Sequence, residues 1–214
     1  MKKAIVIGAG FSGLASASVL AQAGFDVTVL EKNSSPGGRA RKFAENGFTF
    51  DMGPSWYWMP DVFEKFFALF SKTPEDYYQL QRLDPSYRFY FGKDEIVDMP
   101  ANFNEIIKIF EKEEKGAGAE LISFLKEAEY KYKVSMSKFV YKPGISLFEY
   151  AHPEMLASVF KVHMFRSFDS HLKHHFKSAR LRQMLEFPIL FLGGTAKSTP
   201  ALYSLMNYGD IKLG

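Results

Sequence analysis

KAIVIGAGFSGLASASVLAQAGFDVTVLE, residues 3–31, reads as strand, glycine turn, helix, strand and acid. Ala4-Ile5-Val6-Ile7 is a continuous apolar run, the pattern of a parallel strand buried on both faces. Gly8, Gly10 and Gly13 then form G-x-G-x-x-G. In that motif the glycines allow a tight turn, close approach of backbone to a pyrophosphate, and close packing of helix on strand. The spacing predicts a helix from about Ser12 to Ala23, whose N-terminal N–H groups and dipole favour phosphate. Gly24 ends it, Val27-Thr28-Val29-Leu30 forms a second strand, and Glu31 follows 18 residues after Gly13. A carboxylate there accepts hydrogen bonds from a ribose hydroxyl.

Glycines alone mark many ordinary turns, but here strand, helix and acid all stand at their expected places, so the stretch reads as a dinucleotide grip. Glu31 would repel a 2′-phosphate, which leaves FAD or NAD and excludes NADP.

The chain has 214 residues, 47% of them hydrophobic, enough for one large or two small cores. It contains no cysteine, which excludes disulfides, thiolate metal sites and cysteine nucleophiles, and fits a reducing, cytoplasmic setting. A net charge of +3 is too small to suggest nucleic acid. Met1-Lys2-Lys3 before an apolar run imitates a signal peptide, but the glycines at 8, 10 and 13 interrupt it. No stretch reaches transmembrane length, so a soluble or peripherally bound protein is expected.

After Glu31, Asn33-Ser34-Ser35-Pro36-Gly37-Gly38-Arg39 is a run of helix and strand breakers ending in a cation. It reads either as a second phosphate contact through Gly38 and Arg39 or as a surface turn with a solvated arginine. Gly47-Phe48-Thr49-Phe50-Asp51 reads as a third strand running into Met52-Gly53-Pro54. From Asp61, expected to cap a helix, Phe63, Phe66, Phe67 and Phe70 keep helical spacing. Tyr87–Phe91 and Ile96–Met99 flank Gly92-Lys93-Asp94-Glu95 as a hairpin. Helices are expected at roughly 102–115, 118–140, 153–175 and 198–207. Expected domains are 1–75, the first part of a dinucleotide-binding domain; 76–125, part of a substrate domain with the hairpin; and 126–214, a helical region facing substrate or membrane. A doubly wound domain needs five or six parallel strands and this chain offers about three, so the rest is expected beyond residue 214. The fold class is therefore α/β, an incomplete Rossmann-like parallel sheet with a mainly helical α+β region.

GAGFSGLASASVLAQAGFDVTVLEKNSSPGGRARKF and GFTFDMGPSW resemble the amino-terminal signature of the carotenoid desaturase family, nearest to bacterial phytoene desaturases among amine-oxidase-like flavoproteins. Leu190-Phe191-Leu192-Gly193-Gly194 and Ser198-Thr199-Pro200-Ala201-Leu202-Tyr203-Ser204-Leu205 resemble the family's substrate-domain block, while roughly 70–180 matches loosely. The resemblance implies FAD, held by Gly8, Gly10, Gly13, Glu31, Gly38 and Arg39, with Asp51 and Gly53 turning toward the flavin. It implies desaturation of an apolar carotenoid precursor such as phytoene, with hydride passing to the flavin, in an apolar tunnel at a membrane surface. A carotenoid isomerase, ketolase or saturase on the same fold, or an inactive truncated flavoprotein, are the alternatives.

No nucleophile or metal is needed for that chemistry. Glu149 and His152 fall near an acid and a base of relatives; by themselves they read as a solvated helix charge and a turn residue before Pro153. His171, His174 and His175 share a helical spacing without an H-E-x-x-H pattern, and no metal is expected. Residues 161–182 hold six Lys/Arg and one Asp beside Phe165, Phe168, Leu172 and Phe176, which reads as a solvated basic face or as a helix lying on an anionic membrane.

Overall fold

The computed structural model describes residues 1–53, 56–138, 140–142, 145–146 and 165–213. The chain divides into two compact units, Met1–Gln79 and Leu80–Gly214.

In the first unit, β1 (Lys3–Ile7), α1 (Phe11–Gln22) and β2 (Asp26–Leu30) make one β-α-β turn. The strands pair in parallel, from Lys3 opposite Asp26 to Ile7 opposite Leu30. The helix stops where Gly24 N–H reaches Ala21 O at 3.0 Å and Phe25 N–H reaches Leu20 O at 3.1 Å, a glycine-based C-cap. β1 is not covered on both faces: Ile5 is 67% exposed and Ile7 86%, because α1 lies on one face and no described element covers the other.

Two further expectations are corrected here. The segment at 48–51 is not a third parallel strand: β3 (Lys42–Glu45) and β4 (Phe48–Asp51) form a separate antiparallel hairpin. Its two-residue turn is Asn46-Gly47, with φ of 51° and 83°, the backbone that Asn-Gly supplies between right-twisted strands. Phe43 and Phe50 stack across it, centroids 5.0 Å apart. Secondly, Asp61 does not cap α2 (Pro60–Ala68); Met59 holds that position, Pro60 opens the helix, and Asp61 pairs with Lys65 at 2.8 Å. The phenylalanine stripe of α2 is half-buried, Phe63 packing on Phe11 and Tyr57, and Phe67 on Tyr77 and Tyr78.

In the second unit, β5 (Tyr87–Tyr90) and β6 (Ile96–Met99) form the expected hairpin. Asn102 caps α3 (Phe103–Glu113), its side chain accepting from Asn104 N–H at 2.9 Å. Next come α4 (Ala117–Lys138), α5 (Phe168–His175), α6 (Ala179–Glu186) and α7 (Leu205–Tyr208), the last preceded by a 3₁₀ turn at Ala201–Ser204. The expected helix over 153–175 begins, among the described residues, only at Phe168: residues 165–167 are not helical, Ser167 bridging to Pro200 and capping the helix. Glu149 and His152 lie outside the described residues.

One core joins these elements. Phe110, Leu121, Phe124, Phe168, Leu172, Phe176, Leu181 and Leu185 are fully buried, with Phe176 against Phe110 and Phe124 at 5.8 and 6.0 Å. Phe168, Leu172 and Phe176 therefore form core, not a membrane-facing stripe; of that group only Phe165 is exposed, at 80%. The cations beside them are largely engaged. Lys173 pairs with Asp169, Arg180 with Glu95 and Glu113, Arg182 donates to the Phe176 carbonyl, and Arg166 to that of Ser170. Among the described residues no helix is long and apolar enough to cross a membrane.

Candidate cofactor site

The site forms where β1 turns into α1. Gly8 N–H bonds Leu30 O at 2.7 Å, tying the turn to the end of β2. Gly13 sits so close beneath it that a Cβ there would lie 1.9 Å from Gly8 O, so any side chain would force helix and strand apart. Gly10 is the N-cap of α1, no side chain caps that end, and the first turn holds no acid. The helix thus offers an uncapped, positively polarised end.

The 37–39 loop folds onto this turn. Gly37 N–H donates to Ala9 O at 2.8 Å, and a Cβ on Gly38 would come within 3.2 Å of Gly10 Cα. The β3–β4 hairpin then returns to the same place: Met52 N–H bonds Arg41 O at 2.8 Å, and a Cβ on Gly53 would lie 2.4 Å from Arg39 O, at φ +142°. Asp51 closes that hairpin opposite Lys42 and is exposed. Arg39 is exposed, and among the described residues its guanidinium has no hydrogen-bond or ion-pair partner.

Glu31 occupies the end of β2 with both carboxylate oxygens engaged. Oε2 accepts from Ala9 N–H at 2.7 Å; Oε1 accepts from Asn33 N–H at 2.9 Å and from Asn33 Nδ2 at 2.8 Å. The Ala9 N–H, followed by the Asn33 N–H, holds the carboxyl below its ordinary range, with desolvation opposing them. The group is therefore an anion fixed beside the glycine turn.

Gly8, Gly10, Gly13, Glu31, Gly38, Arg39 and Gly53 are thus gathered around one uncapped helix end, drawn from three separate stretches of chain. The donor set fits the ADP portion of a dinucleotide: helix N–H groups and a spare guanidinium for phosphate, bare backbone where glycines meet, and an oriented carboxylate for a ribose hydroxyl. That fit extends to FAD and to NAD alike.

A second polar cluster lies in the core of the other unit. Lys131, fully buried, directs Nζ to Glu127 Oε1 (2.6 Å), Ser204 Oγ (3.0 Å) and Ala201 O (3.1 Å), with His171 Nε2 at 3.4 Å. Glu127, His171 and His175 bring potential metal-ligand atoms within 4.8 Å of one another. Lys131 stands among them, its Nζ on the same Glu127 oxygen. Burial pushes Lys131 below the usual lysine range, against the pull of Glu127. The Gly193–Leu205 block provides half of this arrangement: Ala201 N–H bonds Arg166 O, Phe168 N–H bonds Thr199 O, and Ala201 and Ser204 seat the lysine. Sequence reasoning missed Glu127 and Lys131, because an i,i+4 acid–lysine pair on a helix has the pattern of a solvated one.

Residues 6–73 match the NAD(P)-binding Rossmann-like domain. Along essentially its whole length the chain is similar in sequence to carotenoid desaturases. It is 43% identical over 98% of its length to the carotenoid 3,4-desaturase of Haloarcula japonica, 34% identical over its full length to the zeta-carotene-forming phytoene desaturase of Myxococcus xanthus, and 32% identical to a 4,4'-diapophytoene desaturase of Staphylococcus aureus. It spans only 41–42% of those relatives. Among solved structures, wild-type putrescine oxidase bound to putrescine superposes with a TM-score of 0.53 at 21% identity, covering 96% of this chain and 41% of that one. A CLA-producing fatty acid isomerase from P. acnes superposes at 0.50 and 21% identity. These last two likenesses concern the fold.

Proposed function

We propose that the chain is the cofactor-binding and part of the substrate-binding portion of an FAD-dependent oxidoreductase that desaturates a carotenoid precursor. The observation that carries this reading is the joint presence of the oriented Glu31 carboxylate in its glycine turn and whole-chain similarity to three desaturases of carotenoids.

Gly8, Gly10 and Gly13 would hold the pyrophosphate against the N-terminus of α1, Glu31 would accept from ribose, and Gly38 and Arg39 would meet phosphate charge. Asp51 and Gly53, where the hairpin returns to the Arg39 backbone, would stand near the flavin. When bound, the flavin supplies a two-electron acceptor for hydride. The protein's share is to bind, to orient and to exclude water. The aromatic segments beyond Asp61 supply apolar walls for a hydrocarbon substrate, within a substrate domain at 76–125 and a helical region at 126–214. Glu149 and His152 remain the candidates for taking up the proton that leaves with the hydride.

A carotenoid-type substrate dissolves in lipid, so the whole protein works at a membrane surface on the cytoplasmic side. The exposed Phe165, Leu190, Phe191 and Leu192 are suited to that contact better than the buried face of α5. A second reading keeps the same chemistry but places the new double bond at the 3,4 position, favoured by the 43% identity to a 3,4-desaturase.

The test is the absorption spectrum of pigments from carotenoid-producing cells expressing the complete gene. Cells that accumulate phytoene are expected to turn from colourless to visibly absorbing. An unchanged spectrum, with flavin-loaded protein present, would remove phytoene as substrate; a red-shifted carotenoid in a more conjugated host would then favour the 3,4 reading.

A further inference from the structure

Glu31 lies at the end of a strand, and nothing in the glycine motif itself sets the rotation of its carboxyl group. That rotation matters, because a ribose hydroxyl needs an oxygen facing the turn. Ala9 N–H fixes Oε2 there, at 2.7 Å. Left alone, that single bond would let the other oxygen swing. Asn33 removes the freedom: its backbone N–H and its Nδ2 both donate to Oε1, at 2.9 and 2.8 Å. The side-chain orientation is settled by chemistry, since a carboxylate only accepts and the amide must turn its NH₂ toward it. Two donors fill the accepting directions of Oε1, whereas Oε2 keeps room for a further donor beside the glycine turn.

We infer that Asn33 is a positioning residue, which clamps the Glu31 carboxylate so that Oε2 is presented to a ribose hydroxyl of the bound dinucleotide. The inference rests on the cofactor reading above, and it adds a residue outside the glycine motif and outside the set that the resemblance implied. Asn33 itself is exposed and its side chain is spent on Glu31, so it acts through that carboxylate. The remaining help comes from the backbone N–H groups of Ala9, Lys32 and Asn33 itself, which no side-chain substitution removes, so the variants test the Nδ2 contact alone.

The experiment compares wild type, Asn33→Ala and Asn33→Asp in the protein expressed from its complete gene. FAD affinity is measured by flavin fluorescence across pH, and the Glu31 carboxyl is titrated by carbon-13 NMR. A charge-assisted hydrogen bond at an exposed site is expected to be worth about three- to tenfold in affinity, lost in Asn33→Ala. Asn33→Asp keeps the shape but sets oxygen against oxygen. It is expected to weaken binding further at neutral pH and to recover toward Asn33→Ala as pH falls and one of the two opposed carboxyls, raised by its neighbour's charge, takes up a proton. The Glu31 titration moves upward in both variants. Equal FAD affinity and an unmoved Glu31 titration in all three proteins would overturn the role of Asn33 alone. Equal losses in both variants with no pH dependence would show a loop effect and overturn it too. A wild type that takes up no FAD overturns the ribose role together with the cofactor reading.

Discussion

At the scale of single residues, environment decides what each carboxyl does. Glu31 is surrounded by donors and stays ionised; its favourable contribution is complete above the ordinary value of 4.5 and is lost as pH falls through its lower folded value. Asp210 is the opposite case. Burial pushes its carboxyl upward, and the Tyr87 hydroxyl, donating to it, offsets that only in part. The fold therefore binds a proton at Asp210 more readily than the unfolded chain does. Stability from that proton is present below the ordinary value of 3.8 and disappears as pH rises through the folded value. Asp210→Asn keeps an acceptor for Tyr87 and removes the buried charge. It should raise the urea stability of the protein by about 1 kcal/mol at pH 7 and leave it nearly unchanged near pH 3. A variant less stable than wild type at pH 7 would refute that account. None of this was legible in the sequence, where Asp210 lies in an unremarkable polar turn. Lys131 was equally hidden, because its burial depends on Ala201 and Ser204, seventy residues away along the chain.

At the scale of elements, the β1–α1–β2 unit was readable because its signals are local: apolar run, glycine spacing, helix stop and terminal acid. Gly13→Ala is expected to abolish dinucleotide binding and soluble expression, since its Cβ would fall 1.9 Å from the Gly8 carbonyl oxygen. Gly92→Ala, at the β5–β6 turn with nothing within 4 Å, should change stability by less than about 0.5 kcal/mol. Comparable behaviour of the two variants in thermal melts would contradict the packing described for the turn. The hairpin at 42–51 was misread although its Asn46-Gly47 turn was in plain view; the apolar Phe48 and Phe50 drew attention to one strand and away from its partner. The cap of α2 was misplaced for a related reason. Asp is a good N-cap in general, but Pro60 prefers the first helical position and so fixes the cap two residues before Asp61, at Met59. α6 went unseen because its eight residues, ARLRQMLE, are too short and too polar for a clear period.

For the molecule as a whole, the sequence conveyed the proposed cofactor site better than the proposed substrate-binding part. Phosphate and ribose recognition depends on a short contiguous motif, whereas a hydrocarbon is recognised by shape, to which many distant residues contribute a little each. Aromatic content alone did not separate core from cavity. The fully buried Phe110, Phe124, Phe168 and Phe176 belong to the core, while Leu190 and Phe191 remain open to solvent. The Gly193–Leu205 block, recognisable as a string, turned out to brace α4 against α5, a packing role that a string does not reveal.

The most direct measurement is identification of the cofactor that copurifies with the protein expressed from its complete gene. It would be released by heat and compared between wild type and Glu31→Ala. Wild type is expected to yield stoichiometric FAD, and Glu31→Ala to retain at most about a tenth of it under the same washing, the scale of one charge-assisted contact. A wild type that releases a nicotinamide dinucleotide or no nucleotide, or a Glu31→Ala protein with undiminished FAD, would contradict the account.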